Sequence, residues 1–427
     1  MRKNTIAAIL PVLFCILSYT SFGQNCTYQW APQNSGVANQ LTVVKAVNEL
    51  TGWTGGANTI VRRTTDGGST WVNGNPNPVV LAGMVNCIDA IDGSTAWLST
   101  TNSGSTFIYK TSNGGANWQQ VFSSTQTRIF GLKMTDAANG FAFGDPISNI
   151  WQMLVTTNGG VNWQLSPNAP AAANTETCLP NSFQVSLPNI WWGTSLTSVY
   201  RSTNGGASFT SHAANVTGIY ILAVHYNSEG IGFSSSITMS KSTNSGVNYA
   251  SLPAPGSGNI EAIQGEGQNF WFIRGNQIYR STSSGSSWEL VFTSAQSLVH
   301  MDFPDAISGC QTGWAVGYGG YIYKMTGHIV ATSSNQNEIP AAFELKQNYP
   351  NPFNPETKIE FSIPKSVYIE LKVFDIIGSE ISMLEKGELA AGSYSYSFNP
   401  AELSTGIYFY TLKTAEFTQT RKMLLVK

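Results

Sequence analysis

Residues 108–118 read I-Y-K-T-S-N-G-G-A-N-W, and the same pattern recurs along most of the chain. The copies are V-R-R-T-T-D-G-G-S-T-W ending at Trp71, M-L-V-T-T-N-G-G-V-N-W ending at Trp163 and V-Y-R-S-T-N-G-G-A-S-F ending at Phe209. Looser copies end at Tyr249 and Trp288, so with Trp118 included the closing aromatics are 47, 45, 46, 40 and 39 residues apart. A fixed period in this range signals a repeat array. Each unit has the same internal order. An apolar strand (Met84 to Ile88, Gly131 to Met134, Ile219 to Val224, Leu298 to Phe303) precedes a Gly-aromatic strand such as Gly52-Trp53, Gly140-Phe141 or Gly313-Trp314. A third strand carrying Tyr-Lys or its equivalent leads into the Gly-rich turn, and the closing aromatic opens a fourth. Four short strands per unit at this spacing are the pattern of a β-propeller blade.

The last unit, Gly313-Trp314 followed by Tyr321 to Lys324, runs into a linker without a closing aromatic strand. Tyr28-Gln-Trp30 supplies the missing piece at the other end. The expected fold is therefore all-β: a seven-bladed propeller whose N-terminal strand completes the last blade, plus a small C-terminal β-sandwich. Closure of this kind removes an open sheet edge. It also places Cys26 and Cys310 on one rim. The mature chain holds Cys26, Cys87, Cys178 and Cys310, which allow three connectivities of two bridges. Topology favours Cys26 with Cys310, and leaves Cys87 and Cys178 either paired or free.

In the turn, a short Asp or Asn side chain accepts backbone N–H groups, Gly supplies positive φ and the aromatic packs between sheets. The turn resembles the Asp-box hairpin, S/T-x-D-x-G-x-x-W, of sialidase-like propellers. Thr64, Asp66, Gly68 and Trp71 carry the full form; Asn113, Asn158, Asn204, Asn244 and Ser283 replace Asp elsewhere. Six copies around a ring assign Asp66, Trp71, Asn113, Trp118, Asn158, Trp163, Asn204, Phe209, Tyr249 and Trp288 to the scaffold. Over roughly residues 40 to 327 the unit also resembles the propellers related to the photosystem II assembly and stability factor. Those relatives imply binding or assembly roles, but an exported protein of this composition has no photosystem to touch, so the resemblance carries over the fold alone.

The 427 residues carry 22 Lys plus Arg against 24 Asp plus Glu, a formal net charge of −2 and only four His. Such a balance gives no footprint for nucleic acid. Arg2-Lys3, the apolar run Ile6 to Leu17 and Ser21-Phe22-Gly23 form a secretory signal, residues 1–23. The propeller then covers 24–327, the linker 328–340 and the last domain 341–427, and the mature protein is exported.

Strand bookkeeping puts the box turns on one face and the irregular segments Val72 to Val80, Gly144 to Trp151 and Leu165 to Asn181 on the other. Long loops on a rigid scaffold are where recognition usually resides. Ligand binding is accordingly expected there, through Arg128, Asp145, Trp151, Glu176 and Arg274: Trp151 to stack on a sugar or peptide, and the arginines to pair with carboxylate or phosphate. The ligand is expected to be a protein or a glycan. A glycoside hydrolase is the alternative, but it needs two carboxylates across a cleft. Asp89, Asp92, Asp136, Asp302 and Asp305 mostly fall on the box-turn side instead. No catalytic set, metal site or cofactor is expected.

Charged residues number 20 in the last 100 against 24 in the 304 residues from 24 to 327, marking a separate domain. Thr357 to Ile363, Val367 to Phe374, Gly392 to Phe398, Gly406 to Lys413 and Phe417 to Val426 alternate as strands. The runs Asn348-Y-P-N-P-F-N-Pro355, Val373-F-D-I-I-Gly378, Leu403-S-T-G-I-Tyr408 and Lys422-M-L-L-V-Lys427 resemble the type A C-terminal sorting domain of the type IX secretion system. The resemblance implies the secretion machinery as partner, passage through the outer membrane and removal of the tail. Release or attachment to surface lipopolysaccharide would follow.

Overall fold

The computed structural model describes residues 26–75, 83–173, 176–218, 220–304, 310–329, 340, 342–354, 356–400 and 403–426. The signal segment, most of the linker and residues 76–82 of the first irregular segment lie outside them. Residues 28–328 form one compact unit, and residues 329–427 belong to a second.

Seven four-stranded antiparallel sheets make the first unit. Their first strands are Leu41–Ala46, Met84–Ala90, Ile129–Met134, Phe183–Ser186, Ala223–Tyr226, Ile260–Glu266 and Leu298–Asp302. In the last sheet the outer position is taken by Cys26–Gln33, hydrogen-bonded to Ile322–Ile329. The N-terminal strand thus closes the ring, as the repeat count requires. Gln33 fastens this seam: its Oε1 accepts the indole N–H of Trp71 at 2.9 Å and of Trp314 at 2.9 Å, and its Nε2 donates to Gly67 O at 2.8 Å. Cys26 and Cys310 are both disulfide-bonded, while Cys87 and Cys178 are free and buried.

Apolar cores lie between blades, one cluster at each of the seven interfaces. The mechanism is visible at blades 1 and 2, where Trp53 of a second strand meets Trp118 of the next box turn edge-on at 6.1 Å. Trp314 and Trp71, and Phe233 and Trp288, repeat the contact at 6.0 and 5.9 Å. Trp53, Trp97, Trp191, Trp271 and Trp314 are all fully buried. Burying roughly 200 Å² of aromatic surface is worth on the order of 5 kcal/mol before entropy is charged, so these rings dominate the packing.

The box turns are built alike. The Ser or Thr hydroxyl that opens each turn accepts the N–H four residues on, as Thr64 from Gly68, Thr111 from Gly115 and Ser281 from Gly285. The Asp or Asn oxygen accepts the next such N–H, as Asp66 from Thr70, Asn113 from Asn117 and Asn158 from Asn162. Only an acceptor oxygen is required, which is why Asn replaces Asp and Ser283 Oγ suffices in blade 6. The second glycine is obligatory. Gly115 has φ 84°, and a Cβ there would strike the carbonyl of Gly74 in the preceding blade. Each box turn also bonds the turn after the first strand, as Gly67 N to Leu50 O and Gly114 N to Ser94 O, so both turns share one face.

Three expectations are corrected. The first strand of blade 5 is Ala223–Tyr226, not Ile219 to Val224, because Ala223 pairs with Ser235 and Ile219 lies outside the described residues. Gly144 to Trp151 is no irregular insertion: strands Gly140–Ile147 and Ile150–Thr156 continue through it, turning at Ser148-Asn149 with positive φ. In the second unit, Glu380–Leu389 is a strand the alternation did not reveal, since two register shifts against Val367–Phe374 break its period. That unit is a sandwich of a three-stranded and a four-stranded sheet around Leu345, Phe361, Leu371, Tyr410 and Leu425. The Asn-Tyr-Pro-Asn-Pro run is tied to the terminal strand, with Asn351 Oδ1 accepting Leu424 N at 2.9 Å.

Candidate functional site

The residues expected to bind ligand are held by the protein itself. Trp151 is fully buried, edge-on to Trp192 at 5.8 Å and to Tyr200 at 5.7 Å, so no face of its ring is open to a ligand. Glu176 is 4% exposed; its carboxylate accepts from Ala173 N at 2.9 Å, Thr194 Oγ1 at 3.0 Å and Tyr200 Oη at 2.8 Å. It folds the 165–181 segment onto blade 4. Asp145 pairs with Arg128 at 2.7 Å and accepts Cys178 N at 3.1 Å. Arg274 donates to the carbonyls of Pro255, Gly256 and Ile237 at 2.6–2.8 Å, and burial lowers its pKa. The Arg128 side chain remains half-exposed, over the Phe130 ring. The structure brings Arg128 and Asp145 together, leaves Arg274 in another blade, and occupies four of the five in holding loops.

A cavity of about 520 Å³ runs along the propeller axis and is lined by first-strand residues of all seven blades. That volume is in the usual range for ligand pockets. Superposing the units on the second-strand aromatic puts one residue per blade in the same register. Lys45 faces Trp53, Asp89 faces Trp97, Lys133 faces Phe141 and Gln184 faces Trp191. His225 faces Phe233, Gln264 faces Trp271 and Asp302 faces Trp314. All seven are polar, and all line the cavity.

The reason is the free edge. An innermost strand has no neighbour on its channel side, so its backbone groups there need other partners. Side chains of the preceding blade supply them. Asp302 Oδ2 accepts Ala46 N at 2.8 Å and Lys45 Nζ at 3.0 Å, and His300 Nδ1 accepts Val44 N at 3.3 Å. Asp89 Oδ2 accepts Met134 N at 2.6 Å, Gln184 brackets Tyr226 N and O, and His225 Nε2 lies 3.0 Å from Gly265 N. Burial pushes the His300 imidazole down to about 4, with Asp302 opposing and Lys45 assisting. His300 is therefore neutral at pH 7, as its acceptor role demands.

The two ends of the channel differ. Asn181, left-handed at φ 70°, stretches its Nδ2 to Glu261 O at 3.1 Å and Val299 O at 3.0 Å. An amide from blade 4 thereby crosses to blades 6 and 7 near the starts of their first strands, spanning the channel on the irregular face. At the strand ends, beside the box turns, the lining is Thr135, Ser186, the half-exposed Leu187, Ser228 and Glu266. The ring was readable in the sequence as V-V-K-A, C-I-D-A, G-L-K-M, S-F-Q-V, A-V-H-Y, A-I-Q-G and H-M-D-F. In each, the third residue is polar within an otherwise mostly apolar strand. Among the described residues no group of three His, Cys, Asp or Glu is placed to hold a metal ion.

Residues 347–427 match the secretion system C-terminal sorting domain, and residues 20–142 match the photosynthesis system II assembly factor YCF48. No curated protein matches the chain. Among solved structures the chain is similar to YCF48 from Cyanidioschyzon merolae, with 17% identity and a TM-score of 0.52 over 69% of this chain and 98% of that one. A structure described as YCF48 bound to D1 peptide gives 16% identity and a TM-score of 0.53 over 70% and 96%. The extracellular domain of a hybrid two-component system from B. thetaiotaomicron gives 12% and 0.51, over 94% of this chain and 59% of that one. At such identities the likeness is one of fold. The chain is thus a seven-bladed propeller resembling YCF48, fused to a type IX secretion sorting domain that marks it for the cell surface or beyond.

Proposed function

We propose that the exported propeller is a receptor for an extended polypeptide segment, admitted to the axial channel from the box-turn face. One observation carries this reading: a cavity of about 520 Å³, crossed near one end by the Asn181 amide and ringed by a polar side chain from every blade. Asp89, Gln184, His225 and Asp302 of that ring serve the next blade's backbone, and Gln264 presents an amide donor and acceptor to the narrow shaft. That suits main-chain amides better than a flat sugar ring, and a similar propeller is described as bound to a peptide. The glycan and hydrolase readings have less support. Trp151 is closed off, and the carboxylates of Asp89 and Asp302 already serve backbone amides of the next blade. On this reading the tail directs type IX export and is removed within the linker 328–340, after which the propeller is released or attached to lipopolysaccharide.

Gln264 is the member of the ring to change. Its amide has no hydrogen-bond partner among the described residues, yet it lines the cavity. Peptide and glycan arrays probed with the full chain are expected to give peptide binding that Gln264→Trp abolishes and Trp151→Phe retains. Binding that survives Gln264→Trp, or glycan binding alone, would overturn the proposal.

A further inference from the structure

In six blades the third-strand residue paired with the second-strand aromatic is a cation: Arg63, Lys110, Arg201, Lys241, Arg280 and Lys324. Four lie over the indole of their own blade, from Lys324 at 5.1 Å to Arg63 at 5.7 Å. Three of the six heads rivet the next blade. Arg63 donates to Gly93 O at 2.5 Å, Lys324 to Glu49 O and Gly67 O at 2.9 Å each, and Lys241 to Ser284 O at 2.5 Å. The acceptors are equivalent: Glu49 and Gly93 stand in the turn after a first strand, Gly67 and Ser284 in a box turn.

Blade 3 breaks the rule, with Val155 paired to Phe141. Both donors vanish there, because a valine has no head group and a phenyl ring lacks the indole N–H that Trp97 gives to Gly159 O and Trp191 to Ser245 O. The matching carbonyls of blade 4, on Leu187 and Gly205, accept no hydrogen bond among the described residues. A cavity of about 300 Å³ opens at this interface, lined by Phe141, Val155, Met153, Asn139 and Gly205. The other interfaces serve as controls. A Cβ added at Gly67 would meet Lys324 Nζ and one at Gly114 the Arg63 guanidinium, but one at Gly205 meets nothing within 4 Å. Gly205 is also exposed, whereas the glycine or serine at this position of every other box is buried or half-buried.

We propose that this cleft between blades 3 and 4 is a socket for a lysine or arginine side chain presented by a partner polypeptide. The Phe141 ring takes the place of the indole beneath the cation, and the carbonyls of Leu187 and Gly205 accept its N–H groups. Asp136 holds the Asn139 amide at the rim with Oδ1 and Oδ2 at 3.1 and 2.9 Å, adding a negative charge that favours a basic ligand. The socket and the axial channel meet at Leu187, which lines the channel mouth, but Phe141, Val155 and Gly205 line the socket cavity and not the channel, so substitutions there test the socket alone.

The test is a titration of the full chain, labelled at glycine nitrogen, with n-butylguanidinium, with neutral n-butanol and with a capped Gly-Arg-Gly peptide. The Gly205 and Gly206 amides are expected to shift saturably with the cation and the peptide but not with butanol, at millimolar affinity as befits one exposed cation–π contact. Val155→Lys supplies the cation internally; it is expected to abolish the shifts and raise Tm by a few degrees. Phe141→Leu, which keeps the cleft and removes the ring, should weaken the probe several-fold. Absence of saturable shifts in the wild type, or shifts unchanged in Val155→Lys, would overturn the proposal. Binding of butylguanidinium with exclusion of the peptide would overturn the polypeptide as its source.

Discussion

The two faces of the propeller are made by the same strands and finished by opposite means. On the box-turn face six of the seven blades repeat one hydrogen-bonded pair of turns, as Gly67 to Leu50 and Gly159 to Ala138. On the other face the long 165–181 segment breaks the repeat, and its polar groups turn inward: Glu176 to Thr194 and Tyr200, Asn181 across the shaft to blades 6 and 7. Irregularity here is closure. The proposed recognition falls instead to a position that repeats seven times and so draws no attention in any single copy.

The sharpest way to break that contrast is Trp151→Ala. If the irregular face is structural, removing a fully buried indole packed on Trp192 and Tyr200 should cost about 3–5 kcal/mol. Peptide binding of the protein that still folds should be unchanged. Denaturant unfolding measures the first and the array the second; an unchanged midpoint with lost binding would return recognition to the irregular face.

The channel side makes a pH-dependent contribution of its own. His300 titrates at about 4 in the fold, against an ordinary 6.5, so the unfolded chain takes up the proton first on acidification. The stability it supports is complete above pH ~6.5 and falls as pH drops toward 4, by on the order of 3 kcal/mol. Facing it are Asp302, which raises its pKa, and Lys45, which lowers it. His300→Asn should flatten this limb in a series of unfolding curves between pH 7 and 4. A wild-type stability flat over that range would mean the imidazole is not held neutral on the inner strand.

Much of the first unit was legible because its signals are local and repeated. The aromatic that closes each box turn fixed the period, the period exposed the borrowed strand at Tyr28-Gln-Trp30, and strand direction put Cys26 and Cys310 on one rim. What was not legible depends on partners far apart in sequence. Glu176 has the look of a loop carboxylate until Thr194 and Tyr200 arrive from blade 4. Trp151 reads as the end of an irregular segment until the 140–156 hairpin proves continuous. The polar ring needed no structure, only superposition of the seven units. Taken singly, Lys45 or Gln264 is an ordinary polar residue in a short strand.

Asn181→Ala asks a smaller question of the same contrast. Deleting the amide removes the hydrogen bonds to Glu261 O and Val299 O, a loss of about 1–2 kcal/mol. It also removes the amide that spans the channel. A peptide that enters only from the box-turn face should bind this variant with little change, whereas one that threads the propeller should gain. Comparing association rates of the two proteins by surface plasmon resonance separates these outcomes.

The smallest effect belongs to the residue that the sequence makes most conspicuous. Asp66 is the one aspartate among six box turns, and its Oδ1 accepts Thr70 N at 3.0 Å as Asn113 Oδ1 accepts Asn117 N at 3.0 Å. Because Asn keeps the Oδ1 acceptor but loses the Oδ2 that accepts the Thr70 hydroxyl, Asp66→Asn should lower Tm at pH 7 only slightly, and equally with or without calcium. Hydrogen bonds from Thr70, then Thr64, hold the Asp66 carboxyl down at about 2. Its contribution is therefore complete above the ordinary carboxylate pKa near 4 and is lost only as pH falls toward 2. Asp66→Asn should remove that last acid-sensitive step together with the small neutral-pH stabilisation it titrates away. A large fall in Tm at neutral pH, or a calcium-dependent Tm in the wild type alone, would show that the box-turn face carries more chemistry than its repeated geometry explains.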